Sequence, residues 1–156
     1  MGAALQIDKV CVSRSDQGGQ TIAILRDLTF AARPNEVTAI VGPSGGGKST
    51  LVRLINRLED PSSGRILLHG EDIAGCDPLV LRRRVAMVLQ KPFMFSGSVL
   101  KNLQQPLVYR GETPPVAEDP QVVEAMTLCR LPLELLERDS RSLSLGQQQR
   151  VSLGRA

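Results

Sequence analysis

No stretch of the 156 residues approaches the run of about 20 apolar residues that a membrane-spanning helix requires, so any membrane role has to come through a partner. The start, Met1 to Asp8, has no basic region followed by an apolar run, and no secretory signal is read there. Cysteine is scarce and scattered: Cys11, Cys76 and Cys129 form no Cys-x-x-Cys pair. An odd, dispersed set argues against a disulfide framework or a zinc site and suits reduced thiols in the cytosol. A dominant charge is missing too. Lys and Arg number 19 against 16 Asp and Glu, a net charge of +3. So mild an excess does not point to nucleic acid; it is ordinary surface charge. Internal repeats and low-complexity tracts are absent.

What the chain does hold is 42% apolar residues, enough for one soluble globular domain with its own core. Leu5-Gln6-Ile7-Asp8-Lys9-Val10 alternates apolar and polar residues and predicts a half-buried strand. Residues 15–20, with Gly18-Gly19, predict a hairpin turn, and residues 22–30 the return strand. Val37-Thr38-Ala39-Ile40-Val41 predicts a short strand buried on both faces that runs straight into a glycine loop. Leu51, Val52, Leu54, Ile55 and Leu58 recur at helical spacing over residues 48–58, and Asp60-Pro61-Ser62-Ser63-Gly64 ends that helix. Residues 65–68 read as a strand, residues 66–72 as a hairpin and residues 79–84 as a helical turn. Val85-Ala86-Met87-Val88-Leu89 predicts a second buried strand ending at Gln90. Residues 111–120 hold three prolines and three acids and read as an exposed loop. Helices are predicted over 121–129 and 132–138, a polar turn over 140–145, and a new helix from Gly146.

The glycine loop is Gly42-Pro43-Ser44-Gly45-Gly46-Gly47-Lys48-Ser49-Thr50. Gly42, Gly47, Lys48 and Ser49 meet the pattern Gly-x-x-x-x-Gly-Lys-Ser. Glycines allow backbone angles at which successive N–H groups turn inward onto phosphate oxygens. The following helix adds its free N–H groups and positive dipole end. Lys48 is placed to reach the β- and γ-phosphates as a point charge. The Ser49 hydroxyl suits Mg²⁺, which keeps waters and phosphate oxygens as its other ligands. The Thr50 hydroxyl suits an α-phosphate oxygen. A strand before the loop and an amphipathic helix after it distinguish this pattern from a chance glycine turn.

Around the loop, further segments resemble the ATP-binding subunits of ABC transporters. The loop resembles their Walker A motif. Asp60-Pro61-Ser62-Ser63-Gly64-Arg65-Ile66, then Gly70-Glu71-Asp72-Ile73, resembles the segment after their first helix. Val88-Leu89-Gln90-Lys91-Pro92 resembles their Q-loop, and Leu143-Ser144-Leu145-Gly146-Gln147-Gln148-Gln149-Arg150-Val151 their signature motif. Taken alone, Gln90 could be any polar residue at a strand end, Ser144 a simple helix cap, and Phe93-Met94-Phe95 core packing. The resemblance implies more for each. Gln90 touches Mg²⁺ or the attacking water. Ser144, Gly146 and Gln147 face the γ-phosphate held by a second subunit in a head-to-tail dimer with two ATP molecules in the interface. Phe93-Met94-Phe95 docks a coupling helix of a transmembrane permease subunit.

This sequence also departs from the family. The family's Walker B strand, its adjacent catalytic glutamate and its switch histidine follow the signature helix, and none lies within residues 1–156. His69 precedes the signature and is read as a surface or structural residue. The 156 residues are therefore expected to be part of a longer ATPase, to bind ATP and, alone, to hydrolyse it poorly. The family's adenine-stacking aromatic falls near Asp16, and no Tyr or Phe lies before Phe30. Leu145 replaces the first glycine of the signature, and its Cβ restricts the backbone there.

The expected fold is α/β of the P-loop NTPase type, with an N-terminal antiparallel β part and a helical subdomain. Its divisions are 1–92 for the β part and loop, 93–145 for the helical subdomain and 146–156 for the start of the signature helix. Lys48 and Gln90 are the expected catalytic residues, residues 42–50 with Ser144, Gly146 and Gln147 the ATP contacts, and Ser49 and Gln90 the Mg²⁺ ligands. The expected setting is the cytoplasmic face of the membrane, bound to permease subunits and to a second ATPase subunit. Gln90-Lys91-Pro92 with Phe95 and Ser98-Val99-Leu100-Lys101-Asn102-Leu103 most resembles phosphate importers and a related group of metal exporters, and inorganic phosphate ranks first as cargo. The alternatives are a non-catalytic nucleotide-binding regulator and a soluble ABC-type ATPase of DNA repair or translation, whose usual coiled-coil or tandem-domain additions are not read here. A P-loop kinase would lack the signature.

Overall fold

A computed structural model describes residues 3–16 and 18–156. The chain has the expected α/β class, an antiparallel sheet with helices. It divides into two compact units, Met1–Ala86 and Met87–Ala156.

The first unit is built on a four-stranded antiparallel sheet in the order β2-β1-β3-β4, from β1 (Leu5–Ser15), β2 (Thr21–Ala32), β3 (Ser63–Leu68) and β4 (Glu71–Asp72). The expected first strand runs five residues further than its clear alternation, to Ser15. Its pairing with β2 is irregular between Ile7 and Ser13, and the shift after Ile7 lets both Ile7 and Val10, an odd number of residues apart, face the core. The turn between β1 and β2 forms as expected, Gln17 lying outside the described residues. The β3–β4 hairpin also forms, turning at His69-Gly70, and His69 is exposed. Helix α1 (Lys48–Ile55) lays Leu51 and Leu54 against Ile7, Val10, Ile66 and Leu81, the last from helix α2 (Pro78–Arg84). Burying one such aliphatic side chain stabilises by roughly 1.5–3 kcal/mol, so this contact decides where α1 sits. The helix stops at Ile55, short of the expected Leu58, because Arg57 adopts a positive φ of 52°.

Two sequence expectations need correction. Residues 37–41 and 85–89 are not in strands. Val37 is fully exposed, and Val41 and Leu89 are exposed as well. The physical reason is pairing. A strand buried on both faces needs neighbours to take its N–H and C=O groups. Among the described residues, neither segment has a ladder partner.

In the second unit, helices α3 (Val99–Tyr109), α4 (Pro120–Leu128) and α5 (Leu145–Arg155) enclose a core that includes Val99, Val122, Met126, Leu135, Leu143 and Val151. Burial pushes the Cys129 thiol pKa up in this core. Helix α3 was not anticipated. Pro106 lies inside it, although Ser98 caps it by accepting from Lys101 N–H. The helix expected over 132–138 reduces to a 3₁₀ turn at Leu133–Leu135. The carbonyls of Leu136 and Arg138 instead accept from the N–H groups of Leu100 and Val99, completing the start of α3. The loop over 111–119 forms as expected, and α4 begins at Pro120 behind its Asp119 cap. Among the described residues, no helix is long and apolar enough to cross a membrane.

Candidate functional site

The glycine loop turns out of the exposed segment 37–41 and feeds directly into α1. Gly46 N–H donates to Pro43 O at 3.1 Å, closing the turn. Gly47 is the N-cap, in the left-handed region at φ 80°. A Cβ at Gly47 would lie 2.7 Å from Leu25 Cδ2 and 3.1 Å from the Ile24 carbonyl oxygen, so only glycine lets the loop press on β2. No side chain caps α1, and its first turn carries no acid. That end is therefore open to an anion, with the dipole favouring it.

Lys48 Nζ donates to Gly42 O at 2.9 Å and Pro43 O at 2.6 Å. The ammonium is thus curled over the loop it belongs to. It has three donors, and a phosphate oxygen arriving there replaces two carbonyl dipoles with a full negative charge. Ser49 is exposed on the first turn, while Thr50 is buried. Among the described residues, no group of three or more His, Cys, Asp or Glu is gathered as a metal site. A divalent ion here would draw on the Ser49 hydroxyl, phosphate oxygens and water. That hard-oxygen set fits Mg²⁺ and not a soft metal.

Asp16, near which the adenine-stacking aromatic was expected, has a structural task. Its Oδ1 accepts from Gly18 N–H at 2.9 Å and Gln20 N–H at 2.8 Å, closing the β1–β2 turn.

In the second unit, Gln90 is exposed at a bend. Its neighbour Leu89 is held by α5, since Gln149 Nε2 donates to Leu89 O at 2.9 Å. Ser144 caps α5 in a capping box. Gln147 N–H donates to Ser144 Oγ at 3.3 Å, and Ser144 N–H donates to Gln147 Oε1 at 3.0 Å. The Ser144 hydroxyl also donates to Gln147 Oε1 at 3.1 Å, so that proton would have to turn outward to meet a phosphate. Leu145 occupies the first helical position with its side chain 68% exposed. A helical residue there carries its Cβ without strain, which removes the expected backbone restriction. Gly146 is exposed with open space about it.

Phe93-Met94-Phe95 is split in its exposure. Met94 joins the core, whereas Phe93 is 58% exposed. Phe95 lies edge-on to Phe93 at 5.1 Å and to Tyr109 at 6.1 Å. Sequence reasoning missed the polar residues beneath this cluster, Asn102, Ser140 and Arg155. Desolvation pulls the Arg155 pKa below its ordinary value. Gln149 stood in the quoted signature without a role. Apart from the Asn102 contact with Ser98, their partners are 7 to 62 positions away, so little in the local sequence marks them.

A family model described as ABC transporter matches residues 25–156. Protein STAR1 of Oryza sativa subsp. japonica is 40% identical over 142 residues, covering 91% of this chain and 40% of that protein. The methionine import ATP-binding protein MetN of Cereibacter sphaeroides is 39% identical over 160 residues, covering 99% of this chain and 44% of its own length. The structure of cbiO1 from Clostridium perfringens, part of the ABC transporter complex cbiONQ, matches with a TM-score of 0.79 at 28% identity, covering 99% of this chain and 61% of that one. The chain thus spans less than half the length of these two curated relatives.

Proposed function

This chain belongs to the ABC transporter family, an ATPase family, and on that premise we propose that it is an ATP-binding subunit coupling ATP binding and hydrolysis to transport across a membrane. The observation that carries this is the loop itself: an uncapped, acid-free start of α1 with the Lys48 ammonium poised over it. ATP supplies the phosphates, and bound Mg²⁺ neutralises their charge and orients them. Backbone N–H groups of residues 42–50 cradle the phosphates, Lys48 pairs with the β- and γ-oxygens, and Ser49 holds the ion. Gln90 reports on the ion or the attacking water. Ser144, Gly146 and Gln147, at the acid-free start of α5, face the γ-phosphate of a second ATPase subunit. Exposed Phe93 and Tyr109 suit an apolar segment of a permease subunit at the cytoplasmic face of the membrane. The proposed division is 1–92 for the β part and loop, 93–145 for the helical subdomain and 146–156 for the start of the signature helix, whereas the compact units meet between Ala86 and Met87.

Residues 1–156 contain no Walker B carboxylates, so they bind ATP and by themselves turn it over slowly. For cargo, the segment from Gln90 to Leu103 favours inorganic phosphate, while MetN's own name records methionine for that relative. Vesicle uptake of labelled phosphate, methionine and divalent metal by the assembled transporter separates these, and uptake of either competitor alone refutes the phosphate assignment. The central test is Lys48→Met. Losing one charge-assisted contact costs about 1.5–3 kcal/mol, or roughly 10- to 100-fold in ATP affinity. Affinity for AMP, which has no β- or γ-phosphate, should hold. ATP binding by Lys48→Met within threefold of the parent would sink the assignment.

A further inference from the structure

Helix α5 grips the segment around Gln90 at two heights. Midway, Gln149 Nε2 holds Leu89 O at 2.9 Å. In the last turn, Arg155 Nη2 donates to Phe93 O at 3.0 Å and Nη1 to Asn102 Oδ1 at 3.3 Å. The same guanidinium lies 5.1 Å from the centroid of the Phe95 ring, in cation–π range.

Asn102 completes the grip from α3. It is fully buried. Its Oδ1 accepts from Phe95 N–H at 2.9 Å, and its Nδ2 lies within reach of Phe95 O at 3.1 Å, Ser98 O at 3.0 Å and Ser140 Oγ at 2.9 Å. Ser140 Oγ in turn donates to Phe95 O at 3.0 Å. Phe95 is therefore held at its N–H, its carbonyl and its ring. A buried polar cluster with its groups satisfied is stiff, because any shift strands a donor or acceptor away from water.

We infer that Arg155, with Asn102 and Ser140 behind it, is a positioning residue that locks residues 89–95 to α5 as one mechanical body. Helix α5 is an 11-residue rod, about 16 Å long. Ser144 stands at one end and Arg155 at the other. A displacement of the Ser144 end when nucleotide engages it is delivered at the far end to Phe93. This inference rests on the proposed roles of Ser144 and of the Phe93 surface.

The test uses the complete transporter, with its membrane subunits, and Arg155→Lys, which keeps the charge and loses the fork that spans Phe93 and Asn102. Hydrogen–deuterium exchange is followed over residues 89–98 and 144–155 during an ATP titration, beside the ATP affinity. In the parent, both segments should respond over the same ATP range. In Arg155→Lys, the 144–155 response and the ATP affinity should persist, while the 89–98 response falls by about threefold or more. Ser140→Ala, which removes one hydroxyl from the cluster, should shift the same readout in the same direction by less, and it decides the matter if Arg155→Lys does not fold. An undiminished 89–98 response in the folded variant overturns the inference. If Lys48→Met also binds ATP normally, the ATP-binding assignment itself has failed. If Lys48→Met loses ATP while Arg155→Lys behaves as the parent, only the mechanical link has failed.

Discussion

Replacing Gly47 and Gly45 separately by alanine measures how far the glycine loop depends on contact with the sheet. Both glycines lie in the left-handed region, at φ 80° and 78°. They share the conformational cost of a side chain there, about 1–2 kcal/mol. Their surroundings differ. A Cβ at Gly45 meets nothing within 4 Å. A Cβ at Gly47 meets Leu25 Cδ2 at 2.7 Å and the Ile24 carbonyl oxygen at 3.1 Å. Leu25 is a buried core residue with little room to swing, and the carbonyl belongs to β2. Forcing a methyl into such a place costs typically 1–3 kcal/mol beyond the conformational part. Gly47→Ala should therefore lose about 2–5 kcal/mol and Gly45→Ala about 1–2 kcal/mol. Urea denaturation followed by circular dichroism reads the difference. With a slope of about 1–3 kcal/mol per molar, the two midpoints should separate by roughly 1 M. Coincident midpoints would refute the claim that the loop is pressed on β2.

Two further outcomes are expected. Glu59 pairs with Arg14 and Arg53, and its hydrogen bond with Arg14, followed by that with Arg53, holds its carboxyl pKa below the ordinary 4.5. Its contribution is present above the unfolded-state value and is lost as pH falls through the lower folded-state value. For such half-exposed arginines it is at most about 1 kcal/mol, and a Glu59→Gln chain should show a correspondingly flatter acid limb in pH-dependent melting. Ser144→Ala removes the acceptor for Gln147 N–H and should cost about 1 kcal/mol in urea denaturation, with no loss of ATP binding at the loop of the same chain. An unchanged midpoint would mean that the capping box contributes nothing.

The glycine loop was legible because it is local. The spacing of Gly42, Gly47, Lys48 and Ser49, with a helix to follow, carries the whole turn into α1, and Leu51 and Leu54 orient that helix. The signature start was legible for the same reason: Ser144 and Gln147 are three residues apart and cap one another. Where the outcome hung on distant groups, the sequence was silent. Leu145 shows this from the other side. A missing glycine suggested strain, yet a residue at the first helical position has none to bear.

What the amino-acid sequence determined by itself was the family, the glycine loop that opens α1 and the Ser144 start of α5. Each depends on residues within a few positions of one another. Tertiary structure alone decided the rest. Residues 37–41 have the composition of a buried strand, but composition cannot supply the neighbouring edges that make one. Asn102, Ser140 and Arg155 are unremarkable side chains in the sequence. They become a clamp on Phe95 only because α3, α5 and the segment between α4 and α5 bring donors and acceptors together away from water, where each must find its partner.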